Sequence, residues 1–248
     1  MRRVVFVLAI LALPALAIAK PVHDETVTIQ SGGEQFQAYL VRPDAAGPSP
    51  ALILIHEWWG LNDQVKGEAR KFAEQGFVAL APDLYHGSVT GDPSMAHELM
   101  RGLPQDRGVR DLKAAFAFLA ARADVRKDKI GSVGWCMGGG YSLQLAVNEP
   151  KLAACVVNYG AMPTSREDIQ KIQAPVLGNF GAEDRGIKPE AVQAFEKAMK
   201  AASKSVDIKI YPGAGHAFHN ANNKLGYHQT AAEDSWKRTL AFLDKTLK

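Results

Sequence analysis

Cysteine is scarce: 248 residues contain two, Cys136 and Cys155. That excludes a disulfide framework as the source of stability. Charge of one sign is also missing. Lys and Arg number 29 against 26 Asp and Glu, a formal net charge of +3. No basic stripe interleaved with aromatic residues occurs, so nucleic-acid binding has no support. Internal repeats and linker-like stretches are absent too, which argues for one continuous domain. A hydrophobic content of 47% and a charged content of 22% are those of an ordinary globular chain, long enough to bury a sizeable core.

The one long apolar run lies at the start. Arg2 and Arg3 precede an almost wholly apolar stretch from Val4 to Ile18, and Ala17-Ile18-Ala19 has the small-x-small form of a cleavage site. Residues 1–19 therefore read as a secretory signal peptide, with an apolar core shorter than the roughly 20 residues a spanning helix needs. The rival reading is an uncleaved anchor. Cleavage removes Arg2 and Arg3 and takes the formal charge from +3 to +1. The expected mature protein, residues 20–248, is secreted or periplasmic, free of the membrane and monomeric.

Along the mature chain, Thr26 to Ile29 and Gln35 to Val41 alternate around Ser31-Gly32-Gly33, a hairpin signal. Ala51 to Ile55 is a continuous apolar run, as a parallel strand covered on both faces would be. A helix is expected from about Gln64 to Gln75, a strand over Gly76 to Ala81 and a short helix around Met95 to Met100. Val109 to Ala123 places Val109, Leu112, Ala115, Phe116 and Leu119 on one helical face. Further strands are expected at Lys129 to Val133, Leu152 to Val157, Ala174 to Phe180 and Val206 to Tyr211. Helices are expected at Tyr141 to Asn148, Pro189 to Ala202 and Tyr227 to Leu247. This alternation predicts a three-layer α/β fold, a mostly parallel central sheet with helices on both faces.

Chemistry is concentrated at Gly134-Trp135-Cys136-Met137-Gly138-Gly139-Gly140, between the Lys129 strand and the Tyr141 helix. A nucleophile-type residue with glycine at −2 and +2 is the nucleophile-elbow pattern, here with cysteine. The sharp turn requires near-absent side chains at those positions, and the helix behind it aims N–H groups at the sulfur. The plain alternative is a buried structural cysteine. Cys155 sits early in the next strand, offset from Cys136 by several residues at roughly 3.3 Å each, too far for a disulfide. It reads as core.

In an open parallel sheet, functional residues gather beyond the carboxyl ends of strands. Four such ends are loaded: Cys136, Glu183-Asp184, His216 within Gly213 to Phe218, and Glu57-Trp58-Trp59-Gly60. Nucleophile, acid and base in that order is the α/β-hydrolase sequence. Glu183 and Asp207 compete with Asp184 for the acid, and His219 competes with His216 for the base. A His216/His219 metal pair lacks a third ligand at suitable spacing, so no metal or other cofactor is expected. His23, His86, His97 and His228 read as surface or loop residues.

These residues resemble the dienelactone hydrolase family. The matching stretches are Ile55-His56-Glu57 with Gly60-Leu61-Asn62, Phe77 through Tyr85, Gly134 through Gly139, Gly181 through Asp184, and Gly215-His216-Ala217-Phe218. The resemblance implies a Cys136-Asp184-His216 triad that hydrolyses a small ester or lactone through a thioester. Glu57 would be an extra acid that contacts the thiol and helps deprotonate it. Backbone N–H groups of Trp58 and Met137 would form the oxyanion hole, and Trp59, Tyr85 and Phe218 would line the pocket. Dienelactone hydrolases proper bind a substrate carboxylate with two arginines, whose places here hold Gly87 and Asn220. Arg101, Arg107, Arg110 and Arg185 are the candidate substitutes. Competing readings are an exported redox-active thiol protein and a hydrolase-fold binding module with little turnover.

Overall fold

The structure, a computed structural model, describes residues 21–248, so the expected signal segment lies outside the described residues. The predicted hairpin forms as β1 (Val22–Ser31) and β2 (Glu34–Pro43). Both strands outrun their expected ends because an antiparallel ladder pairs them without a break from Val22↔Pro43 to Ser31↔Glu34. Gly32 and Gly33 turn the chain at positive φ, a conformation open to residues without a Cβ.

β3 (Ser49–Ile55), α1 (Asp63–Glu74) and β4 (Val78–Pro82) follow, with the Asn62 side chain capping α1 at Val65 N–H. Next come α2 (Pro93–Arg101), capped by Asp92, then α3 (Gln105–Ala120), β5 (Val125–Trp135) and α4 (Met137–Asn148). β6 (Ala154–Asn158), α5 (Arg166–Lys171), β7 (Val176–Gly181), α6 (Pro189–Ala201), β8 (Val206–Tyr211) and α7 (Gln229–Leu247) complete the chain. The helix α5 is not in the sequence reading; six mostly polar residues carry too little periodicity to show one.

One eight-stranded sheet runs β1-β2-β4-β3-β5-β6-β7-β8. The β1/β2 and β2/β4 pairs are antiparallel, and every pair from β4/β3 to β7/β8 is parallel. On one face, Leu112, Phe116, Leu143, Ile169 and Val192 bring α3 to α6 against the sheet. On the other, Val65, Phe72, Leu243 and Leu247 bring α1 and α7. This is the expected three-layer α/β-hydrolase arrangement. Phe72 is fully buried with its ring 4.7 Å from that of Trp236. Truncating it to alanine would cost about 3–5 kcal/mol by transfer and cavity terms. Such packing holds the carboxyl ends of β3, β5, β6, β7 and β8 beside one another at one edge, where loops have no ladder to join.

Candidate active site

The turn from β5 into α4 is made at Cys136, with φ 55° and ψ −119°. A non-glycine residue there stores about 1–3 kcal/mol of strain, which the surroundings must hold. They do so through backbone bonds: Cys136 N–H donates to Asn158 O at 3.0 Å, and Gly139 N–H donates to Cys136 O at 3.0 Å. A Cβ on Gly134 would strike the Gly138 carbonyl, and one on Gly138 would strike that of Ile55. The glycines therefore let β3, β5 and α4 meet at backbone distance. A side-chain relay braces the strand ends. Asn158 Nδ2 donates to Gly134 O at 3.1 Å, Asn179 Nδ2 to Asn158 Oδ1 at 3.0 Å, and Arg238 to Asn179 Oδ1 at 2.7 Å. Met137 opens α4, so its N–H belongs to the first turn, whose donors have no intrahelical acceptors.

Asp184 lies in the turn after β7, and His216 in the loop after β8. Asp184 Oδ1 accepts from Gly186 N–H at 2.8 Å and Ile187 N–H at 2.9 Å, while Oδ2 faces His216 Nδ1 at 2.7 Å. His216 Nε2 in turn faces Cys136 Sγ at 3.1 Å. Burial opposes charge on Asp184, yet His216 and the two N–H donors hold its carboxyl below the ordinary range. Burial would also lower His216, but its bonds to Asp184 and Cys136 override that and push it up to about 10. The rivals lie elsewhere. Asp207 pairs with Arg238 at 2.7 Å and Glu183 is exposed. His219 Nδ1 faces Ser235 Oγ at 3.3 Å, and its Nε2 is 3.9 Å from Glu68.

Glu57 departs from expectation. Among the described residues the hydrogen-bond partner of the thiol is His216. The Glu57 carboxylate instead accepts from Asn220 Nδ2 at 2.6 Å and from Tyr159 Oη at 3.2 Å. The reason is local: Asn220 sits four residues after His216 and brings an amide to the carboxylate. Burial drives the Glu57 pKa upward, and the two donors oppose it only in part. Sequence reasoning missed Tyr159. It directly follows β6 at φ 40°, is fully buried, and sets its ring 5.3 Å from that of His216. It missed His56 as well. Leu84 N–H donates to His56 Nε2 at 3.2 Å, so Nδ1 carries the proton and donates to Glu57 O at 2.6 Å. Burial depresses the His56 pKa and keeps the ring neutral in this staple. Its position at the end of an apolar run, directly before Glu57, was the available signal.

Cys136, His216 and Glu57 open into a cavity of about 910 Å³, lined also by Trp58, Trp59, Met100, Asn220 and Leu225. Trp59 is thus where the sequence put it, but Phe218 and Tyr85 are not. Phe218 is fully buried, packed 5.3 Å from Tyr159 and 5.2 Å from Tyr211 between ring centroids. Tyr85 is enclosed against His56 and brings its hydroxyl to Met137 Sδ at 3.2 Å. Gly87 sits in a turn closed by Asp83 Oδ2, which accepts its N–H at 2.6 Å. Arg101, Arg107 and Arg110 are directed to Glu98, Leu84 O and Glu34. Arg185 lines a smaller hollow with Asp184 and His216. Cys155 is buried opposite Ser132 of β5 and 3.3 Å from Ser142 Oγ, as a core residue would be. Among the described residues, no three His, Cys, Asp or Glu side chains are grouped as a metal site requires. No described helix is long and apolar enough to cross a membrane.

Comparison with known proteins gives this geometry a context. The model of the dienelactone hydrolase family matches residues 36–247. The chain belongs to that family. A Saccharolobus solfataricus protein named for carboxymethylenebutenolidase activity is 32% identical, over 91% of this chain and 100% of its own length. A Bradyrhizobium protein named as a 2-oxo-3-(5-oxofuran-2-ylidene)propanoate lactonase is 34% identical, over 88% of this chain and 92% of its own. The crystal structure of a Klebsiella pneumoniae protein named for dienelactone hydrolase activity superimposes with a TM-score of 0.83 at 30% identity, covering 91% of this chain and 99% of that one. As a dienelactone hydrolase family member, the chain is an enzyme of the ester and lactone hydrolase class.

Proposed function

We propose that the protein hydrolyses a small-molecule ester or lactone with Cys136 as nucleophile, through a thioester. The observation that carries this is the line Asp184 Oδ2, His216, Cys136 Sγ, with links of 2.7 and 3.1 Å at a strained elbow. His216, whose pKa its bonds to Asp184 and Cys136 raise above the ordinary imidazole value, takes the thiol proton on Nε2 as Cys136 becomes the nucleophile. The thiolate attacks the carbonyl carbon, forming a C–S bond and moving an electron pair onto the carbonyl oxygen. Met137 and Trp58 N–H groups receive that oxyanion. Its collapse breaks the C–O bond, and His216 Nε2 gives its proton to the departing alkoxide.

Neutral His216 then takes a proton from water, whose oxygen attacks the thioester. The second tetrahedral species expels the Cys136 thiolate and releases the carboxylic acid, and the sulfur takes back a proton from His216. Asp184 keeps the proton of Nδ1 in position throughout, so that Nε2 exchanges protons with substrate. Glu57, bonded to Asn220 and Tyr159, takes no proton from the thiol in this scheme. Cys155, sealed in the core, offers no resolving partner for a redox cycle at Cys136, which favours hydrolysis over the redox reading.

The test is turnover of p-nitrophenyl acetate and a lactone panel by wild type, Cys136→Ala and His216→Ala. Both variants are expected to lose at least about 1,000-fold in kcat/KM. Acid-quenched wild type should carry one acetyl group on Cys136 by mass spectrometry. Hydrolysis by Cys136→Ala at the wild-type rate would refute the nucleophile.

A further inference from the structure

The cavity in front of Cys136, about 910 Å³, is lined mostly by neutral side chains. Its wall is Trp58 and Trp59, whose rings meet edge to face at 4.9 Å, with Met100 and Ala217 beside them. At the lip stands Leu225, whose side chain is fully exposed. A substrate that covers these groups gains the apolar area it removes from water. The charged groups lining the cavity are few. His216 is committed to Asp184 and Cys136, and Lys224 is exposed to solvent at the lip. Glu57 is 2% exposed, and its two hydrogen-bond donors, Asn220 and Tyr159, are both neutral.

That last arrangement discriminates by charge in either protonation state. An ionised Glu57 repels a substrate carboxylate across a poorly screened gap. A protonated Glu57 leaves that carboxylate among indoles and amides, and His216 is already committed to Asp184 and Cys136 rather than free to offset its lost hydration. An uncharged ester meets neither penalty. Building on the cysteine-hydrolase reading above, we propose that this cavity takes uncharged esters or lactones with a sizeable apolar group. The Asn220–Glu57 pair is the device that turns anionic substrates away.

The experiment compares p-nitrophenyl valerate with mono-p-nitrophenyl glutarate, matched in acyl length and differing in a terminal carboxylate, on wild type, Asn220→Arg, Lys224→Ala and Cys136→Ala. Wild type should prefer the uncharged ester by roughly 10-fold or more in kcat/KM, the scale of one like-charge pair about 12 Å apart at an effective dielectric of ~20. Asn220→Arg, which supplies a cation beside Glu57, should narrow that ratio several-fold. Leu225→Ser should reduce the advantage of p-nitrophenyl hexanoate over the acetate. A wild-type preference for the anionic ester that Lys224→Ala abolishes would overturn the proposal. It would make the lip lysine an anion anchor. The wild-type ratio decides the matter even where Asn220→Arg misfolds. Retained turnover of both esters in Cys136→Ala would instead refute the cysteine-hydrolase reading beneath it.

Discussion

Replacing Asp184 with Asn changes one atom of the charge line and should reverse a proton. Asp184 Oδ1 accepts two backbone N–H groups, from Gly186 and Ile187, at 2.8 and 2.9 Å. An asparagine must keep its oxygen there, since turning its NH2 toward those donors would lose both bonds, about 1–3 kcal/mol each for a buried donor left unmet. The NH2 is then forced to face His216 Nδ1, now 2.7 Å from Oδ2. Two donors cannot share that contact, so Nδ1 must give up its proton and the neutral ring carries it on Nε2. Nε2–H then meets a protonated thiol with nothing to accept its proton. The share of the support for the raised His216 pKa that comes from Asp184 is lost with its charge, and the contact with Cys136 is left to supply the rest. A wrong-tautomer substitution of this kind costs about 10⁴-fold in a Ser-His-Asp site; a thiol ionises more readily than a hydroxyl, so roughly 10²–10⁴-fold is expected here. The fold should persist, because the backbone donors keep their acceptor. Two assays check this: kcat/KM for p-nitrophenyl acetate against pH, and the pH dependence of Cys136 alkylation by iodoacetamide. Activity within about five-fold of wild type at pH 7, with an unchanged alkylation profile, would refute the tautomer argument.

Gly134→Ala should lower activity by about 100-fold and destabilise by roughly 1–3 kcal/mol, because the new methyl meets the Gly138 carbonyl and must displace the elbow; kinetics beside denaturant unfolding would show it. Cys155→Ala should leave ester turnover within about two-fold, since the thiol packs in the core away from the cavity, whereas loss of turnover with intact folding would revive a redox partnership. The raised His216 pKa makes a signed prediction about stability. Below about 6.5, His216 is protonated in both folded and unfolded chains and its contribution is complete. As pH rises toward about 10, only the folded chain holds the proton, so that contribution falls and is lost through that pKa. The difference in Tm between wild type and His216→Gln should therefore shrink steadily from pH 6.5 to pH 10; a difference that grows would contradict the pairing of His216 with Asp184.

Much of this protein was determined by residues acting on near neighbours. The apolar run of β3, the helical face of α3 and the glycines around Cys136 each satisfy a local requirement, and each reads directly from the chain. The order of strands and helices followed, and with it the strand ends where Cys136, Asp184 and His216 meet. Boundaries were less legible where a partner strand decides them. Arg126, Lys127 and Asp128 do not look like a strand, yet β5 starts at Val125 because that residue pairs with Ser49 of β3. The glycines after Cys136 look unfavourable for a helix, yet α4 begins at Met137 because β3 and β5 need that close approach. Side-chain direction belonged wholly to tertiary structure. Phe218 lies two residues from His216 but turns into the core between Tyr159 and Tyr211, and Tyr85 turns toward Met137. The bond between Glu57 and Asn220 joins groups 163 residues apart. No local pattern encodes it, since β3 and β8 are separated by three strands and the bond exists only where the loops that follow them meet over the carboxyl edge of the sheet.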